Sequence, residues 1–133
     1  MIPPAVRITF DGDHRMFHPG DTLAGEYRVE GMQPDEAKAI ELSVLWYTEG
    51  KGEEDLAVHF FERREPAGGN YVDLAQPCRF STRLPNSPLS YAGRILKICW
   101  CVRVRVFVAR GKEIFAEEHF RLGEVPTPEI VLP

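Results

Sequence analysis

The chain has 133 residues, 44% hydrophobic and 27% charged, a length and balance that suit one domain with its own core. A net charge of −4 argues against a general polyanion binder, and nucleic acid is not an expected partner, because exposed aromatic residues are not obviously interleaved with the basic ones as stacking platforms. No segment is long and apolar enough to cross a bilayer, "MIPPAVRITF" lacks the pattern of a signal peptide, and three cysteines make no disulfide framework, so a reduced, cytoplasmic protein is expected.

Period two dominates from the start, and helical periodicity is confined to a short turn at "PDEAKA" (34–39). Val6, Ile8 and Phe10 alternate with Arg7 and Thr9. Leu23, Tyr27 and Val29 alternate with Ala24, Glu26 and Arg28; Gly25 interrupts this run and marks a bulge or a close backbone approach. Ile40, Leu42, Val44 and Trp46 alternate with Glu41 and Ser43. Residues 56–64, "LAVHFFERR", read as a strand whose faces are ambiguous. Phe80 and Leu84 alternate with Arg79 and Arg83. Turn signals separate these runs, among them "HPGD" (18–21), "EGKGEED" (49–55) and "EPAGGN" (65–70). Strands at this spacing without helices between them predict two packed antiparallel sheets.

The loop "LPNSPLSYAGR" (84–94) feeds the longest run. Pro85 and Pro88 restrict it, and Tyr91 is the expected anchor. From Leu96 to Val108 the apolar residues, Trp100 among them, take one face, while Lys97, Cys99, Cys101, Arg103 and Arg105 take the other. A strand over 96–109 would span about 46 Å at ~3.3 Å per residue, so a bend or bulge is expected within it. A two-residue loop at 110–111 and a three-residue loop at 110–112 both fit the return. The longer loop agrees with the apolar pattern, pairing Ile114 with Val108, Arg105 with Glu117 and Phe107 with Phe115. It turns Glu118 inward, so a bulge or a partner for that carboxylate is required.

Residues 94–112 carry six basic side chains and no acid. The plainer reading is a solvated face neutralised by Glu117 and its neighbours; the sharper one makes Lys97, Arg103 and Arg105 a partner-binding face for an acidic protein or for anionic headgroups at a membrane periphery. Cys99 and Cys101 are too splayed on one strand for an unstrained disulfide. Zinc held by them with Cys78 and a histidine, or a metal at Asp11, Asp13, His14 and His18, matches no common ligand spacing; no metal and no cofactor is expected, and His59 and His119 are read as structural. No nucleophile elbow, phosphate loop or metalloprotease helix is present, so no catalytic residue is named and an enzyme is not expected. Trp46 and Trp100 are read as core.

Four stretches, in order, resemble arrestin-type domains: "HPGDTLAGEYRVEG" (18–31), "AIELSVLWYTEG" (39–50), "FSTRLPNSPLSYAGRILKICWCVRVRVFV" (80–108) and "EEHFRLG" (117–123). The resemblance is to the N-terminal domain of that family's tandem pair. It implies an immunoglobulin-like antiparallel β-sandwich of about seven to eight strands over residues 1–124, followed by a Pro-rich tail at 125–133, and a non-catalytic adaptor or scaffold role. Binding would use a sheet edge, by adding a peptide strand or a second copy as a homo-oligomer. A small-ligand or metal-binding accessory sandwich is the alternative.

Overall fold

Alternating apolar and polar residues build nine strands among the residues that the computed structural model describes, 3–52, 54–69 and 71–123. They are β1 (Ala5–Phe10), β2 (Met16–Phe17), β3 (Thr22–Glu30), β4 (Ala37–Gly50), β5 (Leu56–Arg64), β6 (Cys78–Arg83), β7 (Tyr91–Ala92), β8 (Leu96–Val108) and β9 (Lys112–Leu122). One sheet has the order β1-β3-β6; the other runs β2-β9-β8-β4-β5, with β7 pairing β8 beside it. Pairing is antiparallel throughout except for β2, which lies parallel to the end of β9. The tail 125–133 lies outside the described residues.

The inward faces of the two sheets meet in a single core. Ile8, Phe10, Leu23, Tyr27 and Phe80 come from the smaller sheet; Ile40, Leu42, Val44, Trp100, Val102, Val104, Val106 and Phe120 come from the larger. Phe10, Phe17 and Phe120 close one end, with ring centroids 5.7–6.3 Å apart in edge-to-face contact. Trp100 is fully buried as expected, whereas Trp46 packs against the core only half-buried.

Gly25 marks a close approach and no bulge. Its neighbours Phe10 and Phe80 pair across from it on both sides without a register shift, and a Cβ there would sit 2.3 Å from the carbonyl oxygen of Thr9.

Of the bend or bulge expected in 96–109, no bulge falls in β8; the register shifts fall in β4, beside it, and in β5, one strand further on. Lys38 is the extra residue in β4 opposite Phe107 and Val108, and His59 is the extra residue in β5 opposite Val44 and Leu45. The His59 bulge also resolves the faces of β5. Beyond it, Phe60 joins the core side; before it, Leu56 and Val58 share the outer face with Phe61.

The hairpin turn differs from both expected registers. Its three residues are Ala109–Gly111, one position earlier, with Arg110 and Gly111 both at positive φ. Ile114 therefore faces Val106, Glu117 faces Arg103, and Phe115 faces Arg105. A shift of two residues preserves which face each side chain takes, so Ile114, Ala116 and Phe120 still point toward the core. The left-handed turn at Arg110-Gly111 matches the twist of the strands it joins, and this local geometry decided among registers that the apolar pattern alone left equivalent. Glu118 sits opposite Val102 on the inward side of β9 and is met by Arg15 at 2.8 Å.

The loop before β8 is anchored by further residues besides Tyr91. Trp100 Nε1 donates to the carbonyl of Pro88 at 2.8 Å. Ser90 is buried; its N–H donates to Leu122 O, and its Oγ accepts from Leu122 N, both at 2.8 Å. Tyr91 begins β7 and pairs with Ile98 of β8.

Candidate functional site

The outward face of the larger sheet forms a grid that follows from the register. Running from β9 through β8 and β4 to β5, its rows are His119–Cys101–Leu45–Val58, Glu117–Arg103–Ser43–Phe61 and Phe115–Arg105–Glu41–Arg63. Cys99, Tyr47 and Leu56 follow at one end.

Most of the charge on this grid is internally matched. Arg103 Nε donates to Glu117 Oε1 at 2.8 Å. Arg105 grips both oxygens of Glu113, at 2.6 and 3.0 Å, and approaches Glu41 at 3.9 Å. Arg63 pairs with Glu41 and with Glu65, and the Arg63 and Arg105 guanidinium groups both lie over the Phe107 ring. The hydrogen bond from Arg105 holds the Glu113 carboxyl below the usual range. Exposed pairs of this kind contribute little stability each, about 0–1 kcal/mol.

Of the three basic residues singled out from the pattern, Arg103 and Arg105 come together, lining one shallow depression with Glu113, Phe115 and Glu117. Lys97 is separated from them. It lies about 20 Å from Arg103 along β8, at ~3.3 Å per residue, and borders depressions formed by the 49–50 and 93–95 turns and by β7.

Apolar exposure gathers on β5, the outermost strand of the larger sheet. Leu56, Val58 and Phe61 are 55%, 49% and 51% exposed. The carboxyl half of β5 carries Glu62, Arg63 and Arg64, and the His59 bulge is pinned to the other sheet where its Nε2 donates to Arg83 O at 2.7 Å. Charges and bulges are how open edges avoid indiscriminate pairing, and residues 56–58 have neither. The sequence left this edge unread because the bulge scrambles the alternation of "LAVHFFERR".

Cys78 belongs to the smaller sheet, beside Arg64, so it does not join Cys99 and Cys101. Near the amino terminus, Asp11 is taken by Arg79, His14 leans on the Phe17 ring and His18 faces Asp21 at 3.7 Å. Among the described residues, the metal-type donors that do converge are Cys101, Glu117 and His119, with donor atoms all within 4.8 Å of one another. Sequence reasoning separated these three; the i, i+2 spacing of Glu117 and His119 on one strand face was the available signal. Burial pushes the Cys101 thiol up to about 12 and the Cys99 thiol above its ordinary value. Tyr47 OH and His119 Nε2 are hydrogen-bonded at 2.8 Å, and burial also pushes the Tyr47 hydroxyl up to about 12. No helix among the described residues is long and apolar enough to cross a membrane.

No family model matches the chain, and no curated protein matches its sequence. Among solved structures it is similar to Spo0M, the sporulation control protein of Bacillus subtilis, with a TM-score of 0.65 and 14% identity over 94% of this chain. The chain spans about half the length of that protein, 51% of it. Two sheets packed in this order, together with that similarity, give the chain an arrestin-like β-sandwich fold.

Proposed function

We propose that this chain is a non-catalytic interaction module, an arrestin-like adaptor or scaffold that binds a protein partner through the open edge of β5. The observation that carries the reading is the exposure of Leu56, Val58 and Phe61 on an outermost strand whose first three residues lack both charge and bulge. An extended peptide added there gains main-chain hydrogen bonds from the edge and apolar contact from these side chains. The fold supports a regulatory or adaptor role because Spo0M, which shares it, is a sporulation control protein. Three free cysteines and the absence of a membrane-spanning helix among the described residues are consistent with a reducing, cytoplasmic setting.

In this reading Lys97, Arg103 and Arg105 add electrostatic selection for an acidic partner or an anionic membrane surface. Arg103 and Arg105 already hold Glu117 and Glu113, so an incoming carboxylate replaces one that is present and the affinity gained is small. Their influence falls on association rate and salt dependence more than on residence time.

Affinity capture with mass spectrometry, using the wild-type chain, a Val58→Lys/Phe61→Lys variant and an Arg103→Glu/Arg105→Glu variant, tests this. Partners lost with the β5 variant and weakened with the arginine variant support the reading. Partners retained in full by the β5 variant overturn it. Light scattering after gel filtration separates a foreign partner from a second copy, since edge pairing between copies gives a mass that rises with concentration.

A further inference from the structure

We propose that Cys101, Glu117 and His119 form a zinc-binding site on the outer face of the six-stranded sheet. The proposal is independent of the β5 reading, and three features of the structure carry it.

The first is convergence. Cys101 and His119 are directly paired across β8 and β9, Glu117 is two residues from His119 on the same strand face, and their donor atoms lie within 4.8 Å of one another. Ligands of a tetrahedral zinc ion sit roughly 3.5 Å apart, given bonds of about 2.0–2.3 Å. Binding an ion requires the side chains to turn inward from the 4.8 Å spacing toward that value.

The second is that both polar donors are already oriented and each keeps a free atom. Arg103 bonds Glu117 through Oε1, leaving Oε2. Tyr47 bonds His119 through Nε2, leaving Nδ1. When Nε2 donates to the tyrosine oxygen, the lone pair resides on Nδ1, as a ligand requires. Metal-binding histidines and carboxylates are held in this way by outer partners.

The third is the chemistry of the set. Sulfur, imidazole and carboxylate together select a borderline metal over calcium or magnesium. One thiolate and one carboxylate oppose the charge of a dication, with Arg103 sharing the carboxylate. Buried cysteines often serve only as small apolar filler. Cys101, however, is buried on the outward face, beneath a bonded tyrosine and histidine and beside a carboxylate. A cleft of about 280 Å³ lined by Cys99, Trp100 and His119 opens on the His119 side of the cluster. Three protein donors leave the fourth position to solvent. Binding transfers the Cys101 thiol proton to solvent as the sulfur–zinc bond forms.

The test uses the full chain, reduced and stripped by chelation, titrated with cobalt(II) and then back-titrated with zinc. The expected result is one equivalent of cobalt with tetrahedral visible bands and a sulfur-to-cobalt charge-transfer band, displaced by zinc. Cys101→Ser abolishes the charge-transfer band. His119→Ala and Glu117→Gln, at less buried positions that leave the fold in place by circular dichroism, each weaken binding by more than the ~10- to 100-fold typical of losing an outer partner. Tyr47→Phe weakens it within that range of about 10- to 100-fold, while His18→Ala changes nothing. Absence of a one-equivalent endpoint, or affinity unchanged in His119→Ala, overturns the site, whether or not Cys101→Ser folds.

Discussion

Trp100 donates its indole N–H to the carbonyl oxygen of Pro88 at 2.8 Å, which ties the loop ahead of β8 to the middle of the core that β8 builds. The indole is 1% exposed and stacks obliquely on Phe120 at 5.8 Å. Trp100→Phe removes ring volume and orphans a half-buried carbonyl. The expected cost is about 2–4 kcal/mol, the sum of a partial cavity and an unmade hydrogen bond. Trp46→Phe, at a half-buried position, costs about 1 kcal/mol. Urea unfolding of both variants checks the difference, and equal losses would refute the anchoring role of Trp100.

Gly25 is held without a side chain by its neighbours. An added Cβ would meet Thr9 O at 2.3 Å and the Phe80 ring at 3.0 Å, so β1 or β6 must shift. Gly25→Ala is expected to destabilise by about 1–3 kcal/mol or more. Gly69 has open space around its missing Cβ, and Gly69→Ala should be neutral or stabilising by up to about 1 kcal/mol. A thermal unfolding midpoint lowered in Gly25→Ala and unchanged or raised in Gly69→Ala is the predicted outcome.

Stability should fall at alkaline pH. Burial lifts the Cys101 thiol from an ordinary 9.0 to about 12, so the folded state holds its proton where the unfolded state releases it. The sign follows: this contribution is complete below pH 9.0 and is lost as pH rises toward about 12. The slope for one proton is at most about 1.4 kcal/mol per pH unit. Cys101→Ala reduces the slope by that one-proton share, as urea titrations across this range would show; the raised Tyr27, Tyr47 and Cys99 groups keep part of the alkaline loss. At neutral pH the raised thiol pKa slows alkylation of Cys101 by iodoacetamide relative to the unfolded chain.

On the acid side, Arg79 holds the Asp11 carboxyl below its usual range and Arg105 does the same for Glu113. Their stabilisation is present above the ordinary carboxylate range and is lost as pH falls through the lowered values. Both groups are exposed, so Asp11→Asn and Glu113→Gln should each leave the acid unfolding midpoint nearly unchanged at high salt and shift it slightly at low salt. Acid titrations at two ionic strengths check this.

The larger strands and their buried faces were legible because the apolar period survives in single residues such as Leu42, Val44, Val102 and Val104. The hairpin register was not legible, since a slip of two residues leaves every face unchanged and the left-handed turn at Arg110-Gly111 decides. Partners that cross the sequence were also hidden. Glu118 announced that it needed one, but nothing local to it named Arg15, 103 residues away. The β5 edge was missed for a further reason: one bulged residue, His59, reverses the faces on either side of it. Cys101 reads as an outer-face residue and is nonetheless fully buried, as is Leu45 paired with it across β4 and β8.

Amide hydrogen exchange, read residue by residue at several protein concentrations, tests the open β5 edge most directly. Residues 100–108, paired on both sides by β4 and β9, should be the most protected, and the β5 amides that point away from β4 should exchange fast. Protection of 56–61 equal to that of β8 at every dilution would mean the edge is already occupied, and rapid exchange throughout 96–108 would contradict the sandwich itself.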